Sequence, residues 1–294
     1  MTAPILISAE ELRELLSGDT PPRVLDVRYR LGATDGREQY LTGHIPGAVF
    51  ADLEGELAGH GAPSDGRHPL PDDAALESAA RGWGIRAGQT VVVYDDARSL
   101  PASRAWWALR RAGIGDVRLL DGGLATWIAV GGAVEPGEVV PEPGDVVLAR
   151  PGAAGVLSAE QVAEWDGILL DARAPERFRG ESEPIDPVAG HIPGARNLPI
   201  SEVLEPDGRF RSPDRIAAAF AAVGAAPGHA PDAGAMPGAD GAPGGARIAA
   251  YCGSGVTAAQ LALAGALIGL EVAVFPGSWS AWSNTPGLPV ATGE

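Results

Sequence analysis

The chain has 294 residues, 45% of them hydrophobic and 20% charged, which is globular composition with room for two domains of ordinary size. Its net charge of −16, from 38 acidic and 22 basic residues, makes nucleic acid and anionic membranes poor partners, and no apolar run approaches the about 18 residues of a membrane span. All 22 basic residues are arginine, which excludes a lysine Schiff base and a P-loop lysine.

The N-terminus has neither a basic n-region nor a long apolar core, so no signal peptide is expected. Ser8-Ala9-Glu10-Glu11 is a capping box that starts a helix through Leu12, Leu15 and Leu16. Val24-Leu25-Asp26-Val27 reads as a short buried strand followed by Arg28, and Gly-His-Ile-Pro-Gly-Ala at 43–48 as a turn. A helix is predicted over 72–82 and a β-branched strand over 91–94. A helix at 101–112 carries Trp106 and Trp107, and a strand at 117–120 closes on Asp121-Gly122-Gly123 before Trp127.

The second half repeats this order. Ser158-Ala159-Glu160-Gln161 is again a capping box, and Ile168-Leu169-Leu170-Asp171-Ala172-Arg173 matches the strand ending in Asp26 and Arg28. Gly-His-Ile-Pro-Gly-Ala recurs at 190–195, Ser212-Pro213 starts a helix, and Tyr251-Cys252 matches Tyr94-Asp95. Gly277 and Trp282 match Gly123 and Trp127. The offsets of Asp26/Asp171, His44/His191 and Asp95/Cys252 are 145, 147 and 157 residues, so the chain holds two copies of one domain and the second has gained residues late. The gain lies at 224–245, almost all Gly, Ala, Pro and Asp, predicted as a mobile loop and a tolerated insertion rather than a lid. The predicted organisation is a first domain at 1–132, a Pro/Gly-rich linker at 133–155 and a second domain at 156–294. Strands alternating with helices make each an α/β domain with a mainly parallel sheet flanked by helices.

Chemistry concentrates at the chain's one cysteine. A small apolar strand over 247–251 leads into Cys252-Gly253-Ser254-Gly255-Val256-Thr257, and an Ala/Leu-rich helix over 257–270 follows. Gly253 and Gly255 keep this turn free of bulk and allow positive φ. Inward-pointing amides and the helix N-terminus favour a thiolate and then hold the anion it attacks. A lone cysteine is also compatible with a small buried hydrophobe. The repeat argues otherwise, because the first copy has Asp95 at this position, as expected of one working site and one retired copy. A single cysteine excludes an intramolecular disulfide and a paired CxxC site, and fits a reducing cytoplasm.

These features together resemble the two-domain rhodaneses, the thiosulfate and 3-mercaptopyruvate sulfurtransferases, over nearly the whole chain. The residues that carry the resemblance are Asp171-Ala172-Arg173, Arg177-Phe178, both Gly-His-Ile-Pro-Gly-Ala turns, Asp121-Gly122-Gly123 and Cys252-Gly253-Ser254-Gly255-Val256-Thr257-Ala258. The last looks like the mercaptopyruvate branch, since the thiosulfate branch usually has basic residues where Gly253 and Ser254 stand. The resemblance implies a Cys252 persulfide cycle, with a small anionic sulfur donor, an acceptor such as cyanide, a small thiol or a thioredoxin-like protein, and no metal or organic cofactor. It implies Arg177 as a donor-binding arginine, with Arg173 as a second candidate that reads equally as a structural partner of Asp171. Arg179 is a weaker candidate. It also implies Ser254 near the reacting sulfur, and His68 and Glu54 as first-domain residues facing the cysteine. That branch usually carries another arginine nine residues after the one matched by Arg177, where this chain has Asp186. His44 and His191 read as turn-fixing, and Trp106, Trp107, Trp127, Trp279 and Trp282 as core or cleft wall. Thiosulfate preference, or a persulfide carrier with little turnover, are the alternatives. A cysteine phosphatase needs an arginine near the end of the loop, and no arginine follows Cys252.

Overall fold

A computed structural model describes residues 3–149, 155–226 and 247–294. They divide into two compact units. The first comprises residues 3–60, 70–149 and 205–210. It contains β1 (Leu6–Ile7), α1 (Ala9–Leu16), β2 (Arg23–Asp26), α2 (Gly36–Thr42), β3 (Val49–Phe50), α3 (Asp73–Gly82), β4 (Val91–Tyr94), α4 (Leu100–Arg111), β5 (Val117–Leu120) and α5 (Gly123–Ala129). The five strands are all parallel, in the order β1-β5-β4-β2-β3. The β-branched run of β4 is buried at every position, as a central strand covered on both faces must be.

The second unit comprises residues 61–69, 155–204, 211–226 and 247–294. It holds α6 (Ala159–Ala163), β6 (Ile168–Asp171), α7 (Pro175–Phe178), β7 (Arg196–Asn197), α8 (Pro213–Ala222), β8 (Ile248–Tyr251), α9 (Val256–Leu267), β9 (Val272–Val274) and α10 (Ser278–Ser283). The sheet is parallel, in the order β7-β6-β8-β9. A lone parallel bridge from Val156 to Val274 stands where the first unit pairs β1 with β5, so the fifth strand has shrunk to one residue.

Both capping boxes form: Glu11 and Gln161 amides donate to Ser8 and Ser158 Oγ, at 3.2 and 3.3 Å. The repeated motifs resolve into one repeated brace. Arg28 Nη2 and Tyr94 Oη donate to Asp26 Oδ2 at 2.6 and 2.5 Å, and Ile45 N donates to Tyr94 Oη at 3.1 Å. In the second unit Arg173 Nη2 donates to Asp171 Oδ2 at 2.6 Å and Ile192 N to Tyr251 Oη at 3.1 Å. The Asp-x-Arg segments and the Gly-His-Ile-Pro-Gly-Ala turns therefore pin the carboxyl ends of two central strands. His44 stacks on Tyr40 and His191 on Phe178, with Nδ1 3.0 Å and 2.8 Å from the Tyr40 and Phe178 carbonyls. Both histidines hold turns. Trp106, Trp107, Trp127, Trp279 and Trp282 are all buried.

Two structural features bear on the segments between and around the two copies. The described part of the predicted linker is a strap on the first unit: Gly144 N donates to Arg81 O at 2.7 Å and Ala149 N to Ala112 O at 2.8 Å, while Val146 and Leu148 are buried. Residues 61–69, within the first domain of the sequence repeat, group with the second compact unit. The predicted loop at 224–245 lies outside the described residues from 227 onward.

Candidate active site

Cys252 follows β8, whose Ala249 and Ala250 are small and fully buried and let the Ala-rich α9 close over the sheet. From β6 the chain passes to one sheet edge through β7, and from β8 to the other through β9. The carboxyl ends of β6 and β8 therefore flank a topological switch point, where open α/β sheets place their ligands. The strand-to-helix turn stands at that point.

Of the two glycines expected to take positive φ, only Gly255 does, at +82°. A Cβ there would collide with the Pro276 carbonyl oxygen, so glycine is required on two counts. This conformation turns the Gly255 N–H back to donate to Cys252 Sγ at 3.1 Å. Val256, Thr257 and Ala258 begin α9, so their amides have no acceptor within the helix. The sulfur, 2% exposed as a residue, thus sits at a helix N-terminus under one amide donor already aimed at it.

The start of α10 braces the same loop. Trp279 N donates to Cys252 O and Ser280 N to Gly253 O, both at 2.9 Å. Ser278 Oγ accepts from Cys252 N at 3.1 Å and donates to Phe275 O at 2.8 Å. Ser278 has φ +53°, a strained backbone for a residue with a side chain. In the first unit Gly123 occupies this place with φ +61°, and Leu124 N donates to Asp95 O at 2.9 Å. Gly123 therefore corresponds to Ser278 and not to Gly277, a one-residue correction to the sequence match. Sequence gave no reason to single out Ser278; its only signal is a serine standing where the sister copy needs glycine.

The first-unit loop has filled its own anion-binding turn. Asp95 Oδ1 accepts from Ala97 N at 2.8 Å and Ser99 N at 3.0 Å, and Oδ2 from Ala102 N at 2.9 Å. Burial nevertheless dominates and raises its pKa from 3.8 to about 6, with the three amides opposing.

Near the cysteine loop, His68 Nδ1 lies 2.9 Å from Ser254 Oγ, and His68 is buried. Arg67 N donates to Ser280 Oγ at 3.1 Å, and the 3-10 turn Pro63–Asp65 packs on α10. These contacts draw residues 61–69 into the second unit. Arg177 Nε and Nη2 donate to Glu183 at 3.2 and 2.6 Å, and Nη2 reaches Asp186 Oδ2 at 3.4 Å. Burial alone would raise the Glu183 pKa; Arg177 and the amides of Asp186 and Ile185 outweigh it and hold the carboxyl below its ordinary range. Arg67 Nη1 pairs with Asp186 Oδ1. Sequence reasoning passed over Arg67 and Glu183; Arg67 is an arginine in a Gly/Pro-rich loop beside His68, which is no signal by itself.

Arg173 does not join this group as a free cation. Its side chain is 2% exposed, its donors go to Asp171, Glu183 and the Gly190 carbonyl, and its guanidinium lies 4.7 Å from the Trp279 ring centroid. A ligand would have to break that set to reach it. Arg179 pairs at the surface with Glu181. Glu54 lies in the first unit, exposed, in a turn where its N–H donates to Asp52 Oδ1 at 3.1 Å. Cys252, Gly253, Ser254, Gly255, Val256, Thr257, His68 and Arg177 all belong to the second unit. Among the described residues no helix is long and apolar enough to cross a membrane.

A family model described as a rhodanese-like domain matches residues 8–130 and 156–285. A putative thiosulfate sulfurtransferase, SseB of Mycobacterium tuberculosis, is 45% identical over 98% of this chain and 97% of its own. A probable 3-mercaptopyruvate sulfurtransferase of Pseudomonas aeruginosa is 42% identical, with both chains fully covered. Among solved structures, the 3-mercaptopyruvate enzyme SseA of Escherichia coli superposes with a TM-score of 0.77 at 32% identity, over 95% of this chain and 99% of that one.

Proposed function

Because the chain belongs to the rhodanese family and is a sulfurtransferase, we propose that it carries sulfur on Cys252, from 3-mercaptopyruvate to a thiol or cyanide acceptor. The observation that carries this reading is the Gly255 amide aimed at Cys252 Sγ at 3.1 Å, at the N-terminus of a buried helix. An anionic sulfur is the nucleophile such chemistry needs, and an amide donor favours the anion.

In the first step the Cys252 thiolate attacks the donor sulfur. The new S–S bond forms as the donor's C–S bond breaks, and that electron pair leaves as the enolate of pyruvate. The donor's thiol proton ends on the enolate carbon, so the step is redox-neutral and leaves a Cys252 persulfide. Ser254 Oγ and His68 Nδ1, 2.9 Å apart, are a hydroxyl–imidazole pair suited to move that proton. In the second step cyanide or a thiolate takes the outer sulfur and the Cys252 thiolate returns. Arg177 binds the donor's anionic group. Val256 and Thr257, in the first turn of α9, add peptide dipole beneath the sulfur. Arg173 acts here as a brace and not as a donor ligand. A cytoplasmic setting, which keeps a thiol reduced, is part of this reading, as is the absence of nucleic-acid and membrane partners.

Thiosulfate is the second reading, favoured by the name of the 45% identical mycobacterial relative. Attack of the Cys252 thiolate on its outer sulfur breaks the S–S bond, expels sulfite with that electron pair and leaves the same persulfide. The test is kcat/KM for both donors on one preparation, with Cys252→Ser alongside. Mercaptopyruvate should win and the variant should lose all turnover and the adduct of about 32 Da, one sulfur atom. A tenfold preference for thiosulfate would reverse the donor assignment, and an active Cys252→Ser enzyme would end the mechanism.

A further inference from the structure

We infer that Arg67 is the second guanidinium of a clamp on the donor's anionic group, working with Arg177 over Gly253. The inference rests on the sulfurtransferase reading above and adds a donor-binding residue to it.

Four observations converge on it. First, Asp186, with its side chain 2% exposed, bridges the two arginines, taking Arg67 Nη1 on Oδ1 and Arg177 Nη2 on Oδ2. One buried carboxylate thereby fixes two cations side by side. Second, both point at one spot on the cysteine loop: a Cβ built on Gly253 would lie 3.1 Å from Arg67 Nη2 and 3.5 Å from Arg177 Nη1. Gly253 is the residue after Cys252 and puts no side chain between the loop and the two guanidinium groups. Third, donors remain for a ligand. Neither Arg67 Nη2 nor Arg177 Nη1 makes a hydrogen bond among the described residues. Fourth, the side chains are reachable, at 27% and 18% exposure, while Glu183 and Asp186 behind them are 2% exposed. A ligand meets N–H groups first and carboxylates hardly at all.

The chemistry selects a planar anion. A guanidinium offers parallel N–H donors that match a carboxylate in pairs. Asp186 takes Nη1 of Arg67 and Glu183 takes the Nε–Nη2 edge of Arg177, which leaves Nη2 of Arg67 and Nη1 of Arg177 for the donor. The residue that lacks a cation at 186 is thus the anchor that recruits one from position 67. The same contact accounts for residues 61–69 folding with the second unit.

The test is steady-state turnover of 3-mercaptopyruvate by Arg67→Gln, which keeps a side-chain N–H for Asp186 and removes the charge and the fork. KM for the donor should rise about tenfold, with kcat within about threefold and KM for cyanide unchanged, as loss of a charge-assisted contact in donor binding requires. An unchanged donor KM overturns the inference. A fall in kcat and thermal midpoint at constant donor KM also overturns it, since Arg67 would then only fasten its loop. Should Arg67→Gln not fold, Arg67→Lys takes its place: it keeps the charge and the Asp186 pair but not the fork, and an unchanged donor KM again overturns the inference. A wild-type enzyme that forms neither pyruvate nor persulfide would sink the parent reading instead, so the two failures are distinguishable.

Discussion

Replacing Gly255 by Ala tests the loop at its tightest point. The residue sits at φ +82°, where a side chain costs about 1–2 kcal/mol. The added Cβ would also overlap the Pro276 carbonyl oxygen and lie 2.9 Å from Pro276 Cα and 3.0 Å from its carbonyl carbon. These are backbone atoms and cannot swing aside as a side-chain end can, so overpacking adds about 1–3 kcal/mol. A total of about 2–5 kcal/mol should appear in chemical denaturation followed by a second-unit tryptophan. The displacement also moves the Gly255 N–H off Cys252 Sγ, and loss of one preorganised donor lowers kcat about a hundredfold. Gly253→Ala is the internal control. That residue is not left-handed, and its Cβ would meet only guanidinium ends at 3.1–3.7 Å, so its stability should stay within about 0.5 kcal/mol while donor KM rises. A Gly255→Ala enzyme as stable and as active as wild type would refute the claim that this backbone conformation holds the sulfur's donor in place.

Ser278 combines strain with a useful hydroxyl, so Ser278→Ala should destabilise more than Ser278→Gly by about 1 kcal/mol, because only glycine relieves the φ of +53°. Equal losses in urea denaturation would contradict this. In the first unit a carbon-13 carboxyl titration should place the Asp95 midpoint at about 6, above its ordinary 3.8. The folded state then binds the proton more tightly than the unfolded chain. The stabilisation is full below about 3.8 and lost as pH rises to about 6, at most about 3 kcal/mol. Asp95→Asn should flatten that stretch of the stability profile, and a midpoint below 4 would show that the three amides, not burial, dominate.

Local signals carried the elements and the strand-to-helix turn that holds Cys252. Ser8 and Glu11 cap α1 because a capping box involves residues three apart, and Val91–Tyr94 is a strand because β-branched apolar residues suit a buried sheet. The repeat fixed two α/β copies and singled out Cys252 against Asp95, since duplication compares a chain with itself. Tertiary structure decided what crosses long separations or depends on backbone angle. Arg67 meets Ser280 across 213 residues of sequence, and no periodicity encodes which arginine a buried Asp186 recruits. Gly253 and Gly255 look alike in sequence, yet only the packing of Pro276 makes the second obligatory. Arg173 and Arg177 sit four apart on one stretch with equal formal charge; burial against Asp171 spends the first, and the partly exposed position of the second leaves donors for a substrate. Caps and strands are settled by neighbours in sequence, whereas the availability of a charge is settled by what the fold buries beside it.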